Sequence, residues 1–174
     1  MKATLDRHRM TRRDLLARGA AVGGAFVIGS GFVAGTTAAW AMEVQHVKPD
    51  TMAALIQMAR DIYPHDHVAD RFYAAAVKGY DNADQAEMIE TGIAALDAAA
   101  AGKGYGGYLA AGWERDRVDI LRAREDSPFF QTIRGGLVTG LYNQKELWPL
   151  FGYEGESFSK GGYIDRGFND IDWI

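Results

Sequence analysis

DTMAALIQMARDIYP, residues 50–64, sets the fold class, because Met52, Leu55, Ile56, Ala59 and Ile62 recur at the spacing of one helix face. Asp50 is the expected N-cap. Pro64 ends the element, since the residue before a proline is driven out of the α region. The same period continues outward. Residues 68–80 place Phe72, Ala76 and Gly79 on one side, with Asp66 as the expected cap, and residues 83–101 carry Ile89, Ile93, Leu96 and Ala100 before Gly102 stops them. Residues 112–124 have Trp113, Val118, Ile120 and Leu121 as apolar members, and their many charges, Arg117 included, read as a solvated face with helix-spaced ion pairs. Ser127-Pro128 is a hydroxyl cap followed by proline at the first helical position, so a further helix starts there with Phe130, Ile133, Leu137 and Leu141 as its stripe. Gly136 and Gly140 strip side chains from one of its faces, where another backbone can approach. Asn143 with Glu146 opens a short helix carrying Leu147 and Trp148, which Pro149 stops. The expected fold is all-α, a small bundle of four to six helices with a long irregular C-terminal arm.

That arm begins at WPLFGYEGESFSKGGYIDRGFNDIDWI, residues 148–174, which follows neither a helical nor a strand period. Its glycines permit tight turns, and its aromatics are apolar faces that need a surface. Composition leaves two readings open: an arm wrapped on its own domain, or one docked on a partner, where aromatics and arginine carry binding energy. FGYEGES followed by KGGYIDRGFNDIDWI resembles the C-terminal signature of the gluconate 2-dehydrogenase subunit 3 family. Ile62-Tyr63-Pro64-His65-Asp66, the Phe129-Phe130 pair and Leu141-Tyr142 leading to Trp148 stand in that family's order, so the resemblance covers most of the chain after residue 41. The chain departs from it with Glu154 or Glu156 in place of a frequent proline and Asn169 in place of Asp.

The N-terminus is organised differently. Lys2, Arg7, Arg9, Arg12, Arg13 and Arg18 precede an uncharged run over 19–42, the layout of an export signal. Arg12, Arg13, Leu15 and Leu16 resemble the twin-arginine motif, read by a translocase that moves folded cargo. Ala39 and Ala41 are small residues where a signal peptidase reads, which places cleavage after Ala41 and divides the chain into a signal over 1–41 and one domain over 42–174, its arm at 152–174. A membrane anchor over 19–42 is the competing reading, and six glycines in that run speak against it. Beyond residue 41 the chain holds 13 Lys or Arg against 21 Asp or Glu. So acidic a body excludes a phosphate-binding face, and no nucleic acid is expected as partner.

Little here supports catalysis. Cysteine is absent, which removes disulfides, thiolate metal sites and iron–sulfur clusters. The Gly-rich loop 102–107 follows a helical stretch rather than the strand that a phosphate loop requires, so it reads as a flexible or partner-facing connector. His65-Asp66-His67 is the one candidate ligand cluster, and the alternative function is a free-standing periplasmic metal- or ligand-binding protein that uses this turn. Residues two apart share no helix face, and polar residues collect in turns in any case. No catalytic, cofactor-binding or metal residue is assigned. The resemblance implies a non-catalytic accessory subunit whose partner is a flavoprotein catalytic subunit of the glucose–methanol–choline type. FAD would sit in that partner, and a cytochrome c subunit joins the complex in some systems of this kind. The substrates implied are sugars, sugar acids, polyols or glycosides, in the periplasm. Partner docking is assigned to Trp148, Tyr153, Gly155, Gly162, Tyr163, Arg166, Gly167, Phe168, Asp170, Asp172 and Trp173.

Overall fold

Helix α1 (Pro49–Ile62) is buried around most of its circumference, including Met52, Leu55, Ile56 and Met58. A helix covered on all sides is the axis of a core. The computed structural model describes residues 26–29, 31–35, 41–166 and 168. Around α1 stand α2 (Asp70–Val77), α3 (Ala86–Gly102), α4 (Glu114–Arg122) and α5 (Pro128–Tyr142), each touching it. Short 3₁₀ segments follow α2 at Lys78–Tyr80 and α5 at Lys145–Phe151, and one more lies at Phe158–Lys160. The body is thus helical, as the apolar period requires. No helix among the described residues is long and apolar enough to cross a membrane.

The start of α1 differs from expectation. Asp50 lies inside the first turn rather than at the cap, and Lys48 at the cap position makes no side-chain cap. Glu90 of α3 replaces it, accepting from the Lys48 amide at 2.7 Å and from Thr51 Oγ1 at 2.9 Å. One turn earlier, Asp81 accepts the amides of Gln45, His46 and Val47 at 2.8, 2.8 and 2.9 Å. Partial burial pushes the Asp81 carboxyl up, but these donors outweigh it and hold it below the ordinary range. Two acids from another part of the chain therefore pin residues 45–51.

The cap expected from Asp66 is likewise absent: Ala69 precedes α2 without a side-chain bond. Ser127 does cap α5, accepting from the Phe130 amide at 3.2 Å. The glycines of α5 serve as the spacing implies. A methyl on Gly136 would collide with the Tyr80 hydroxyl, and one on Gly140 would lie 2.9 Å from the Ala76 carbonyl, so α2 and α5 pack backbone to backbone. Pro149 does not stop the segment after α5, because it falls within the 3₁₀ turn; Gly152, left-handed at φ 70°, does.

Arg117 is the largest departure. It points inward from α4 and forks onto Asp61 of α1, Nε to Oδ2 at 2.7 Å and Nη2 to Oδ1 at 3.0 Å. The Asp61 side chain is 2% exposed and that of Arg117 12%. Tyr108 Oη at 2.7 Å and Gln57 Nε2 at 3.0 Å complete the carboxylate's shell, and Arg117 Nη1 donates to the Ala111 carbonyl at 2.9 Å. Burial first, and then the Asp61 charge, push the Tyr108 hydroxyl well above its ordinary range. The Gly-rich connector 102–107 is anchored at its far end: the next residue, Tyr108, is fully buried, and Asp97 of α3 holds its amide at 2.8 Å.

Along the uncharged N-terminal run and just past its end, three short strands, β1 (Phe26–Gly29), β2 (Phe32–Gly35) and β3 (Ala41–Glu43), pair antiparallel in that order. The described part of the run is therefore extended rather than a continuous helical anchor, and β1 and β2 lie against α1. Ala41 opens β3 opposite Ala34. Arg12, Arg13, Leu15, Leu16 and Ala39 lie outside the described residues.

Removing one member of a buried ion pair leaves the other uncompensated, at a cost of about 3–5 kcal/mol. Asp61→Ala should lower stability by that amount in urea unfolding. Asp61→Leu combined with Arg117→Met should cost less than the two single changes summed, which a double-mutant cycle reads directly.

Candidate functional site

The large apolar side chains of the buried core end at Leu147. Beyond it the chain turns outward on a short aromatic root. Trp148 donates Nε1–H to the Tyr142 carbonyl at 2.9 Å, and its ring meets Tyr153 edge-on at 5.2 Å. Gly155, left-handed at φ 100°, is buried under that ring, where a Cβ would come within 3.3 Å of it. Phe151 packs edge-on against His65 at 5.0 Å and Tyr142 at 5.5 Å. His65 shares a 2.7 Å hydrogen bond with the Tyr142 hydroxyl. The Tyr63-Pro64-His65 turn is thus the seat on which the arm begins.

Burial first, and then the charges of His67 and Arg60, hold the His65 imidazole below its usual 6.5. His67 lies 6.2 Å from it, ring to ring. Among the described residues, no three His, Cys, Asp or Glu side chains group as a metal ligand set. The role the structure gives His65 is packing against Tyr142 and Phe151.

From residue 152 to 166 the arm supports itself. Glu154 gathers Lys160 at 3.3 Å and Arg166 at 2.9 Å, and the Arg166 guanidinium lies 5.6 Å over the Tyr163 ring. The Ser157 carbonyl accepts from the Gly162 amide at 2.8 Å across consecutive left-handed glycines, Gly161 and Gly162. Of the residues assigned to docking, Trp148 and Gly155 therefore form the root, and Gly162, Tyr163 and Arg166 form the loop's internal frame. Tyr153 joins the root against Trp148 while staying half-exposed, as Tyr163 does in the loop, and Phe168 faces solvent. Gly167, Asp170, Asp172 and Trp173 lie outside the described residues. Sequence reasoning missed Glu154, Phe158 and Ile164. The last two are large apolar residues without helical period, a signal already present in the sequence.

Two surface clefts flank the start of α5. Phe129 enters one of about 490 Å³ with Met88, Gly92 and Arg124, where its ring covers Gly92 so closely that a Cβ there would collide. Phe130 lines the other, about 560 Å³, beside Tyr63, Arg122, Glu125 and Arg134. The pair thus wedges α5 against α3 on one side and against the turn after α1 on the other. No family model, curated protein or solved structure matches the chain.

The lowered His65 value fixes a sign. Between its folded value and 6.5 the unfolded chain binds more protons than the folded one, so stability rises with pH across that window and is lost as pH falls through it. The urea midpoint should drop from pH 7 to pH 5 more steeply in the natural protein than in His65→Gln. Equal slopes would show that His65 does not contribute.

Proposed function

We propose that this chain is the non-catalytic small subunit of a periplasmic FAD-dependent dehydrogenase of the glucose–methanol–choline type, carrying the catalytic subunit through twin-arginine export and steadying it afterwards. The supporting observation is the division between a core whose large apolar side chains end at Leu147 and an arm that turns Leu150, Tyr153, Phe158, Ile164 and Phe168 to solvent. Large apolar side chains turned to solvent along one short segment suit an interaction site better than ordinary monomer surface. The arm is also the stretch that carries the resemblance to the gluconate 2-dehydrogenase subunit 3 family, so the sequence signature and the exposed surface coincide.

The other elements are consistent with this reading. A translocase that accepts folded cargo lets a signal-bearing small subunit bring a partner that has no signal of its own. If processing follows Ala41, residues 45–51 keep their hydrogen bonds to Asp81 and Glu90, while β1 and β2, with the buried Val33, leave the face of α1. FAD belongs to the partner in this reading, as the resemblance to the gluconate 2-dehydrogenase subunit 3 family implies. Substrate chemistry belongs to the partner as well.

Changing Arg12 and Arg13 together to Lys preserves charge and should leave both this chain and its dehydrogenase activity in the cytoplasm. Normal periplasmic activity in that strain would rule out the carrier role. A chain ending at Phe151 should melt within a few degrees of the full chain, because the core closes before the truncation, and should no longer copurify with the flavoprotein. Retention of the flavoprotein by the truncated chain would remove the arm from the interface.

A further inference from the structure

Phe158, Ile164 and Phe168 are 93%, 83% and 81% exposed, more than any other large apolar residues described. Trp113 at 65% and Val138 at 51% lie elsewhere on the body as single residues. Side chains so placed gain nothing from folding, whereas the loop carrying them is ordered at several points. One carboxylate, Glu154, takes both Lys160 and Arg166, and Tyr163 backs the guanidinium. The turn at Phe158–Lys160 is closed by Ser157, whose carbonyl accepts from both Lys160 and Gly162. Gly161 and Gly162 follow at φ 82° and 79°, where a side chain would strain the backbone. Exposed ion pairs are singly weak. Two on one carboxylate, a ring and a glycine turn together hold one loop shape.

The charges decide what fits this loop. Its described cations are already paired within the chain, and Lys145 pairs with Glu156 at 3.8 Å. Asp165 makes no ion pair among the described residues, and Asp170 and Asp172 follow it in sequence. The body behind it carries the excess of acids noted above. A second copy of this chain or an anionic lipid surface would therefore meet like charge, and a cationic protein face would not.

We propose that residues 152–166 form a preformed docking loop in which Phe158 and Ile164, with the neighbouring Phe168, are the anchors, Glu154, Tyr163 and Arg166 brace it from within, and the occupant is a protein face with apolar pockets bordered by Arg or Lys. The inference rests on the accessory-subunit reading for the identity of that protein, though not for its chemistry. It moves Arg166 from partner contact to internal brace. Because the loop is ordered before it binds, association does not carry the full ordering cost of a flexible tail.

The test places p-benzoylphenylalanine at Phe158, Ile164 or Phe168 of the full chain, with Trp113 and Val138 as control positions, and irradiates the producing cells. All three anchor positions should give one shared protein adduct that the controls lack, with crosslinked peptides neighbouring Arg or Lys. Adding Glu154→Gln, which keeps the shape of the side chain and removes its charge, should reduce that adduct about two- to fivefold while the helical circular dichroism is unchanged. Adducts of the chain with itself or with lipid, the same yield from the controls, or no adduct would overturn the proposal. A shared cationic partner that carries no flavin would uphold the docking loop and refute the flavoprotein reading. A flavoprotein that copurifies but crosslinks only from the controls would do the reverse.

Discussion

The rest of the structure depends on how one buried charge is satisfied. Withdrawing a carboxylate from water costs several kcal/mol unless its oxygens are matched by donors, and Asp61 is matched by Arg117, Tyr108 and Gln57 together. Those donors come from α4, from the connector before it and from α1 itself. Satisfying Asp61 therefore fixes where the connector runs and where α4 lies against α1. With α4 fixed, Ser127 and Pro128 start α5 beside it, and the two glycines of α5 bring it onto α2. The buried network specifies one arrangement of helices that apolar contacts alone would leave less well determined.

The same logic separates body from arm. Polar groups inside the body are paired, its aliphatic stripes meet around α1, and its start is pinned by Glu90 and Asp81. None of that pairing involves the apolar side chains after Leu147. The arm is instead held by its root, where Trp148, Tyr153, Phe151 and His65 pack edge to face, and by Glu154 further out. Stability resides in the body, and the exposed apolar side chains of the arm contribute little to it. An exposed apolar loop of this kind is a liability on a free monomer.

How much of this the sequence disclosed follows from the range of each interaction. The helices around Ile56, Ile93 and Leu137 were legible, because a stripe of period 3.6 is a local signal. So was the start of α5, whose serine cap and proline sit side by side. The cap of α1 was not, because its carboxylate comes from Glu90, about forty residues further on. Arg117 was misplaced for a related reason: in a helix reading ERDRVDILR a single inward arginine looks like its solvated neighbours until Asp61 is seen opposite. In the arm, aromatic content showed that a surface was needed and left open which one, and which residues face outward depends on a brace between positions twelve apart. That is why the full exposure of Phe158 and Ile164 emerged only with the structure, although their apolar character stood in the sequence, while Arg166 turned from candidate anchor to internal support.

The account stands on the arm being a shaped loop before any partner arrives. Backbone order parameters from nitrogen-15 relaxation on the isolated chain measure this directly. Residues 153–166 should approach the value of rigid backbone, about 0.85. Values below about 0.6 through that stretch would describe a flexible tail and contradict the account.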